Sequence, residues 1–349
     1  MNAIHSRSVW GGVFFLLFSS FLLNAQVQNV VASVKGGRFT APFSVTLSTI
    51  TVHADIRYTL DGNEPDSLTS PQYSSAIAVT KTTTLRAKAF AVGQVSSKIT
   101  THTYLFNMLH TFPIVAVSFK PDDFFGATKG IYPNYLLDLE VPVHLEMFEN
   151  GNNTAVIDQD LGAVIQGTAS ASLPQKSLEF KPKKIYGLAD IPYKIFPDLP
   201  YTAYKRMIVR NSGQDWNITQ FRDDYATSLH ADLTDLGGIL KKPEIYSSSA
   251  RPSVVYYNGE YWGIHSMKER MKTTFVEQHF NLKSTEYDMV ENEKENLNGD
   301  STVWLAFQTY LGSGVNFAEN ANYDSLKAKI DIQNFMDIMA FNVFVDHED

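Results

Sequence analysis

The sequence predicts a multidomain protein in which a small antiparallel β-sandwich precedes a larger α+β domain. Three observations carry this. Short runs of period-two alternation broken by turn residues fill residues 27–106, helices take over from Thr273 after an earlier helical stretch at Tyr225 to Leu233, and 349 residues that are 44% apolar supply enough surface for two cores.

Residues 1–25 read as an address rather than as structure. A short start carrying Arg7 leads into an apolar run from Val9 to Leu23, and Leu23-Asn24-Ala25 has the residue types and spacing of a cleavage site ending at Ala25. The run falls short of the ~20 residues that a spanning helix needs. A secretory signal peptide is therefore expected, with an uncleaved N-terminal anchor as the alternative. The protein is expected to be secreted, periplasmic or at a cell surface, with no transmembrane helix after cleavage.

Residues 27–106 supply the sandwich. Phe43 to Leu47 alternates, and Ile56, Tyr58 and Leu60 share one face of the next run before the turn residues Asp61 to Asp66. Thr82 to Phe90 puts Leu85, Ala87 and Ala89 on one side and Thr84, Arg86 and Lys88 on the other. The second domain, residues 112–349, opens with a buried strand in Phe112 to Phe119 and an alternating one carrying Val141, Val143, Leu145 and Met147. Ala163-Val164-Ile165 precedes the small-residue loop Gly167 to Ser172, and Met207-Ile208-Val209 is a core strand flanked by charge. Val254 to Trp262 is a hairpin whose Asn258-Gly259 pair suits a type I′ turn. Glu291 to Asn298 reads as a solvated charged loop, and Asn334 to Val345, apolar nearly all round, as a buried helix.

Composition narrows the chemistry. With no Cys there is no disulfide framework, thiolate zinc site, Fe–S cluster, Cys nucleophile or lipobox. Lys plus Arg number 29 against 37 Asp plus Glu, a net charge of −8, which argues against a nucleic-acid partner because phosphate affinity requires a cationic field. The chain has no G-x-x-x-x-G-K-[ST], G-x-G-x-x-G after a strand, H-E-x-x-H or G-x-S-x-G. What is left is a set of bases and carboxylates at strand ends.

Lys176, in Pro174-Gln175-Lys176-Ser177, follows a small-residue loop whose backbone N–H groups can face an anion, so it can hold phosphate oxygens; an edge-strand lysine is the ordinary alternative. The strand at Met207 empties into Arg210-Asn211-Ser212-Gly213-Gln214-Asp215-Trp216, which groups donors and one acid around a tight turn. Arg222 can pair with a phosphate or with a carboxylate. Alternation after the hairpin puts Tyr261, Gly263, His265 and Met267 on one face and Trp262, Ile264 and Ser266 on the other. Trp262 can wall a planar base or fill a core, and Glu269 can orient a base or ligate a metal.

Two resemblances organise these motifs. Tyr58 to Pro65, Ser70-Pro71-Gln72-Tyr73 and Thr82 to Phe90 are similar to the chitobiase/β-hexosaminidase C-terminal-type domain, an immunoglobulin-like sandwich, over most of residues 30–105. That resemblance implies an accessory role, with glycan or cell-wall contact; no carboxylate pair with glycosidase geometry is present there. Residues 112–349 resemble the CotH kinase family, named for the spore-coat protein H kinases. The carrying motifs are Pro174-Gln175-Lys176-Ser177, Phe196-Pro197-Asp198-Leu199-Pro200, Arg210 to Trp216, Phe221-Arg222-Asp223, Asn258 to Ile264 and Glu269-Arg270.

The second resemblance implies a divergent protein-kinase-like fold that binds ATP with Mg²⁺ or Mn²⁺ and phosphorylates Ser or Thr of secreted or surface proteins. It implies that Lys176 contacts phosphates as a catalytic residue, that Glu269 organises the nucleotide pocket, and that Arg210, Asp215, Arg222 and Trp262 contribute to it. Asp349 matches the Asp of the family's Asp-Trp motif, implying a catalytic acid and metal ligand. Gly167-Thr168-Ala169-Ser170-Ala171 stands where the family commonly has Gly-Gly-x-Ser-Arg, and Glu179 where a basic side chain is frequent; both changes are expected to lower positive potential beside the phosphates. A further acidic ligand is expected after residue 349, so the chain is expected to be C-terminally incomplete and inactive by itself. The alternative is a non-catalytic surface or scaffold protein whose kinase-like site has decayed. A glycoside hydrolase rests only on the company that the first module keeps.

Overall fold

The computed structural model describes residues 25–233, 246–291 and 295–346, so nearly all of the segment expected to be a signal peptide, and Asp349, lie outside the described residues. Eight strands form the first unit: β1 (Val31–Ala32), β2 (Gly37–Phe39), β3 (Phe43–Val45), β4 (Leu47–Ser48), β5 (Asp55–Thr59), β6 (Ile77–Val79), β7 (Thr83–Phe90) and β8 (Thr100–Phe106). The order β2-β8-β7-β5 makes one sheet, and the pairs β3–β6 and β1–β4 pack against it as a β-sandwich. The alternation along β7 sets the packing. Leu85, Ala87 and Ala89 are at most 2% exposed and meet Val45, Ile56, Ile77 and Tyr104 in one core. On the other side, Arg86 donates to the Gly62 carbonyl and Lys88 pairs with Glu64 at 2.7 Å. One pairing departs from the antiparallel expectation: β2 lies parallel to β8. Alternation specifies a strand's faces but not its direction.

The second unit contains β9 (Ile114–Ser118), α1 (Pro121–Phe125), β10 (Val141–Phe148), β11 (Ile157–Gln166), β12 (Ser177–Lys181), β13 (Met207–Arg210), α2 (Arg222–Leu233), β14 (Ala250–Tyr257) and β15 (Glu260–Lys268). Its strands close into a seven-stranded barrel, β10-β11-β12-β13-β15-β14-β9, antiparallel except between β14 and β9. Val117, Leu145, Leu161, Phe180, Val209 and Met267 fill it. All five residues of β9 are buried, because Val115 and Val117 face the barrel core while Ile114 and Ala116 pack with Leu105 of β8. The sandwich thus covers the barrel's outer wall at that strand.

The β14–β15 hairpin turns through Asn258 (φ 48°) and Gly259 (φ 84°), the two positive φ values that a type I′ turn demands. Asn258 also accepts from the Phe119 N–H at 2.9 Å and donates to the Phe119 carbonyl at 3.1 Å, which anchors the tip. Just after the turn, a register shift between Val255 and Tyr256 leaves Trp262 without a partner opposite. The bulge resets the alternation: Trp262 packs against the same core as Met267, contrary to the two-face assignment.

After β15 come α3 (Thr273–Phe280), a hairpin of β16 (Met289–Glu291) and β17 (Glu295–Asn298), α4 (Thr302–Leu311), α5 (Asn320–Lys327) and α6 (Ile332–Phe344). The segment expected as a charged loop therefore forms a hairpin, since backbone pairing does not require apolar side chains. The apolar C-terminal helix forms, but none of its residues is buried, and Met336 and Val343 are 56% and 78% exposed. An apolar surface states that a helix needs cover; it does not supply the cover. Two helices, α1 and α2, lie between barrel strands in the chain and four follow them, so the described second domain is a β-rich unit built on the seven-stranded barrel. Among the described residues no helix is long and apolar enough to cross a membrane.

Candidate functional site

Register decides what the outside of the barrel carries. Leu178, Phe180, Met207, Val209 and Met267 point into the core, so Glu179, Lys181, Arg206, Ile208, Arg210 and Lys268, at the alternate positions, share the outer face. Glu179 lies opposite Ile208, and Ile208 opposite Lys268. Glu179 is only 6% exposed, and its carboxylate accepts from Arg206 and lies 3.3 Å from Arg270 Nε. A carboxylate removed from water requires such partners.

Over this trio opens a cleft of about 540 Å³ lined by Glu179, Lys181, Arg206, Arg270 and Lys272, with Tyr135, Asp138, Gly167 and Thr168 on the facing loops. Four cations against two carboxylates make the lining net positive. Lys181 and Lys272 lie 3.8 Å from Glu140 and 3.4 Å from Glu291, two carboxylates outside the lining. The acidic Glu179, expected to repel phosphates, is thus offset by two guanidinium groups that it holds in place.

The other sequence-derived candidates fall into separate groups, and none of the six described ones lines this cleft. Lys176 is 6% exposed; its Nζ donates to the carbonyls of Ala171 and Leu173 and covers the Tyr135 ring at 4.3 Å. Burial lowers its pKa. Tyr135 also lines the cleft, so Lys176 sits behind one of its walls. Trp262 donates from Nε1 to the Tyr132 hydroxyl at 2.9 Å and stacks on Tyr257. Arg210 Nε is 2.9 Å from Asp223, which also receives Lys268 Nζ at 2.7 Å; these two cations outweigh burial and lower the Asp223 pKa. Asp223 stands in the first turn of α2, where the helix dipole favours a carboxylate. Glu269 is buried between His279 Nε2 at 2.7 Å and the Ser249 N–H at 3.0 Å.

Asp215 and Arg222 do come together, in a turn built on the acid. The Asp215 carboxylate accepts from the Thr219 hydroxyl and from the N–H groups of Thr219, Phe221 and Arg222, and Arg222 Nε lies 3.4 Å away with its side chain 66% exposed. Burial pushes this carboxyl up, but the donated hydrogen bonds outweigh it and hold the pKa at about 2. A depressed folded-state pKa contributes stability that is complete above the unfolded value of ~3.9 and is lost as pH falls toward the folded one, here roughly 2 kcal/mol in all. Urea unfolding of wild type and Asp215→Asn is therefore expected to differ by about 2 kcal/mol near pH 6 and by about half of that at pH 3. A difference independent of pH would refute this role.

Lys181, Arg206 and Lys272 were not singled out by sequence reasoning, and Arg270 entered only as part of the Glu269-Arg270 motif. Lys181 ends β12, Arg206 immediately precedes β13, and Arg270 and Lys272 lie between β15 and α3, so only the pairing of β12, β13 and β15 brings them around Glu179. The signal available was the repeated basic residue at outward positions beside three core strands.

A sandwich joined to a barrel that carries a cationic cleft defines a modular, β-rich protein. A family model described as the chitobiase/beta-hexosaminidase C-terminal domain matches residues 34–101, and one described as CotH kinase protein matches residues 163–349. The second match spans more than half of the chain, and the chain belongs to the CotH kinase family. The order of the two domains is the one that the motifs imply. No curated protein matches the chain.

Proposed function

We propose that this chain is the nucleotide-binding part of an exported CotH-type protein kinase. The cleft over Glu179 takes the triphosphate of ATP, and the γ-phosphate passes to Ser or Thr of a secreted or surface protein. The carrying observation is the pair Arg206 and Arg270, fixed by a buried carboxylate at the floor of a net-positive cleft. Phosphoryl transfer asks the protein for cationic positioning rather than a covalent nucleophile, and guanidinium groups suit phosphate oxygens through paired N–H donors. The cleft volume falls within the range of small-molecule sites. Export rests on the segment up to Ala25, and a glycan- or wall-associated role of the sandwich rests on its family resemblance.

Mg²⁺ or Mn²⁺, which neutralises phosphate charge when bound, needs carboxylate oxygens. Glu179 is taken by its two arginines, and the metal ligand that the family resemblance implies is Asp349, which lies outside the described residues. The chain's own part is to orient the phosphates: Arg206 and Arg270 from below, Lys181 and Lys272 from the rim.

Calorimetry of ATP with Mg²⁺ against the purified chain tests the reading, alongside phosphate incorporation into candidate secreted proteins. Saturable, metal-dependent binding is expected; a folded chain that gives no binding heat overturns it. A second reading, nucleotide binding without transfer, is favoured by Lys176, whose ammonium is held by loop carbonyls behind Tyr135. Binding without incorporation selects that reading.

A further inference from the structure

The seam between sandwich and barrel holds a second cluster of ionisable groups. Glu146 of β10 and Asp158 of β11 are directly opposite each other in the ladder, and His102 of β8 reaches the same spot from the sandwich. One ligand-capable atom from each of the three lies within 4.8 Å of the others. Like charges placed directly opposite on neighbouring strands repel, so a cation between them would stabilise this pairing.

The neighbouring cations leave part of that demand unmet. His144 turns Nδ1 to Asp160 at 2.8 Å and Nε2 to Asp158 at 3.2 Å, and exposed Lys35 lies near Asp158 and His102. Glu146 is 1% exposed, and its Oε2 accepts from the Thr103 N–H at 2.6 Å, but its Oε1 has no partner. His102 is 8% exposed, and its Nδ1 also has none. Two unsatisfied buried atoms, an imidazole nitrogen and a carboxylate oxygen, are the donors that a divalent transition ion takes. Room for the carboxylate is made by Gly36: a Cβ there would stand 2.0 Å from Glu146 Oε1.

We propose that His102, Glu146 and Asp158 bind one divalent transition-metal ion of the zinc class, which staples the sandwich to the barrel. Tetrahedral ligands at 2.0–2.2 Å from zinc stand about 3.4 Å apart, so the three side chains close by roughly 1 Å on binding. Asp158, with its side chain 42% exposed, leaves the fourth position open to water. His144, bracketed by Asp158 and Asp160, orients the ligand carboxylate from behind. One imidazole among the ligands favours zinc and the later first-row ions over Mg²⁺, Ca²⁺ and Mn²⁺. This site is independent of the nucleotide cleft.

The test uses the chelator-stripped chain without nucleotide, titrated separately with Zn²⁺, Co²⁺ and Mg²⁺. Expected are one Zn²⁺ per chain, a Co²⁺ visible absorption band, no Mg²⁺ binding, and a Tm raised by about 5 °C at a hundredfold excess of Zn²⁺ over its Kd. Glu146→Gln and Asp158→Asn are expected to weaken Zn²⁺ at least about 100-fold. Asp158 is exposed, so its variant keeps the test open should the buried one fail to fold. Absence of both the Co²⁺ band and the Zn²⁺-dependent Tm shift overturns the proposal, as does unchanged Zn²⁺ affinity in the two variants.

Discussion

Replacing Arg206 and Arg270 together by alanine is expected to weaken ATP binding by at least about 100-fold, since each hydrogen bond to a charged phosphate contributes roughly 1.5–3 kcal/mol. The same substitution strips Glu179 of both partners while it is 6% exposed. Leaving a buried carboxylate uncompensated costs about 3–5 kcal/mol, so the double variant is also expected to be less stable. Adding Glu179→Gln separates the two effects. The triple variant regains much of its stability, read by urea unfolding, and stays unable to bind ATP, read by calorimetry. Wild-type affinity in that stable triple variant would move the nucleotide away from this cleft.

Phe180→Ala is expected to destabilise the barrel by about 3–5 kcal/mol, the cost of emptying a large, fully buried aromatic site. Phe180 lies on β12 between Glu179 and Lys181, in the core that Met207 and Val209 share. Loss of its packing loosens the strand that sets both cleft residues, so nucleotide affinity falls along with the unfolding midpoint. Leu68→Ala, at a position 86% exposed in the sandwich, serves as the comparison and is expected to change stability by no more than ~0.5 kcal/mol. Equal midpoints for the two variants would contradict the assignment of Phe180 to the barrel core.

The domain order and most strands were legible from residue patterns. Leu85, Ala87 and Ala89 announce the buried face of β7, and Asn258-Gly259 announces the hairpin turn, because these features act within a few residues of chain. Where the chain departs from simple alternation, the reading slips. The bulge at Trp262 moves that indole onto the core side, and the pairing of β16 with β17 needs no apolar signal.

Local sequence by itself determined the two modules, their order and the family to which the second belongs, since these rest on motifs whose spacing along the chain is their meaning. Only the tertiary structure decided which charges meet. Glu179, Arg206 and Arg270 come from three separate strand regions, and His102, Glu146 and Asp158 from two modules. Their contacts depend on strand register and on how the sandwich seats against the barrel. Electrostatic interaction falls with distance through space, not along the chain, so a one-dimensional reading cannot rank such partners.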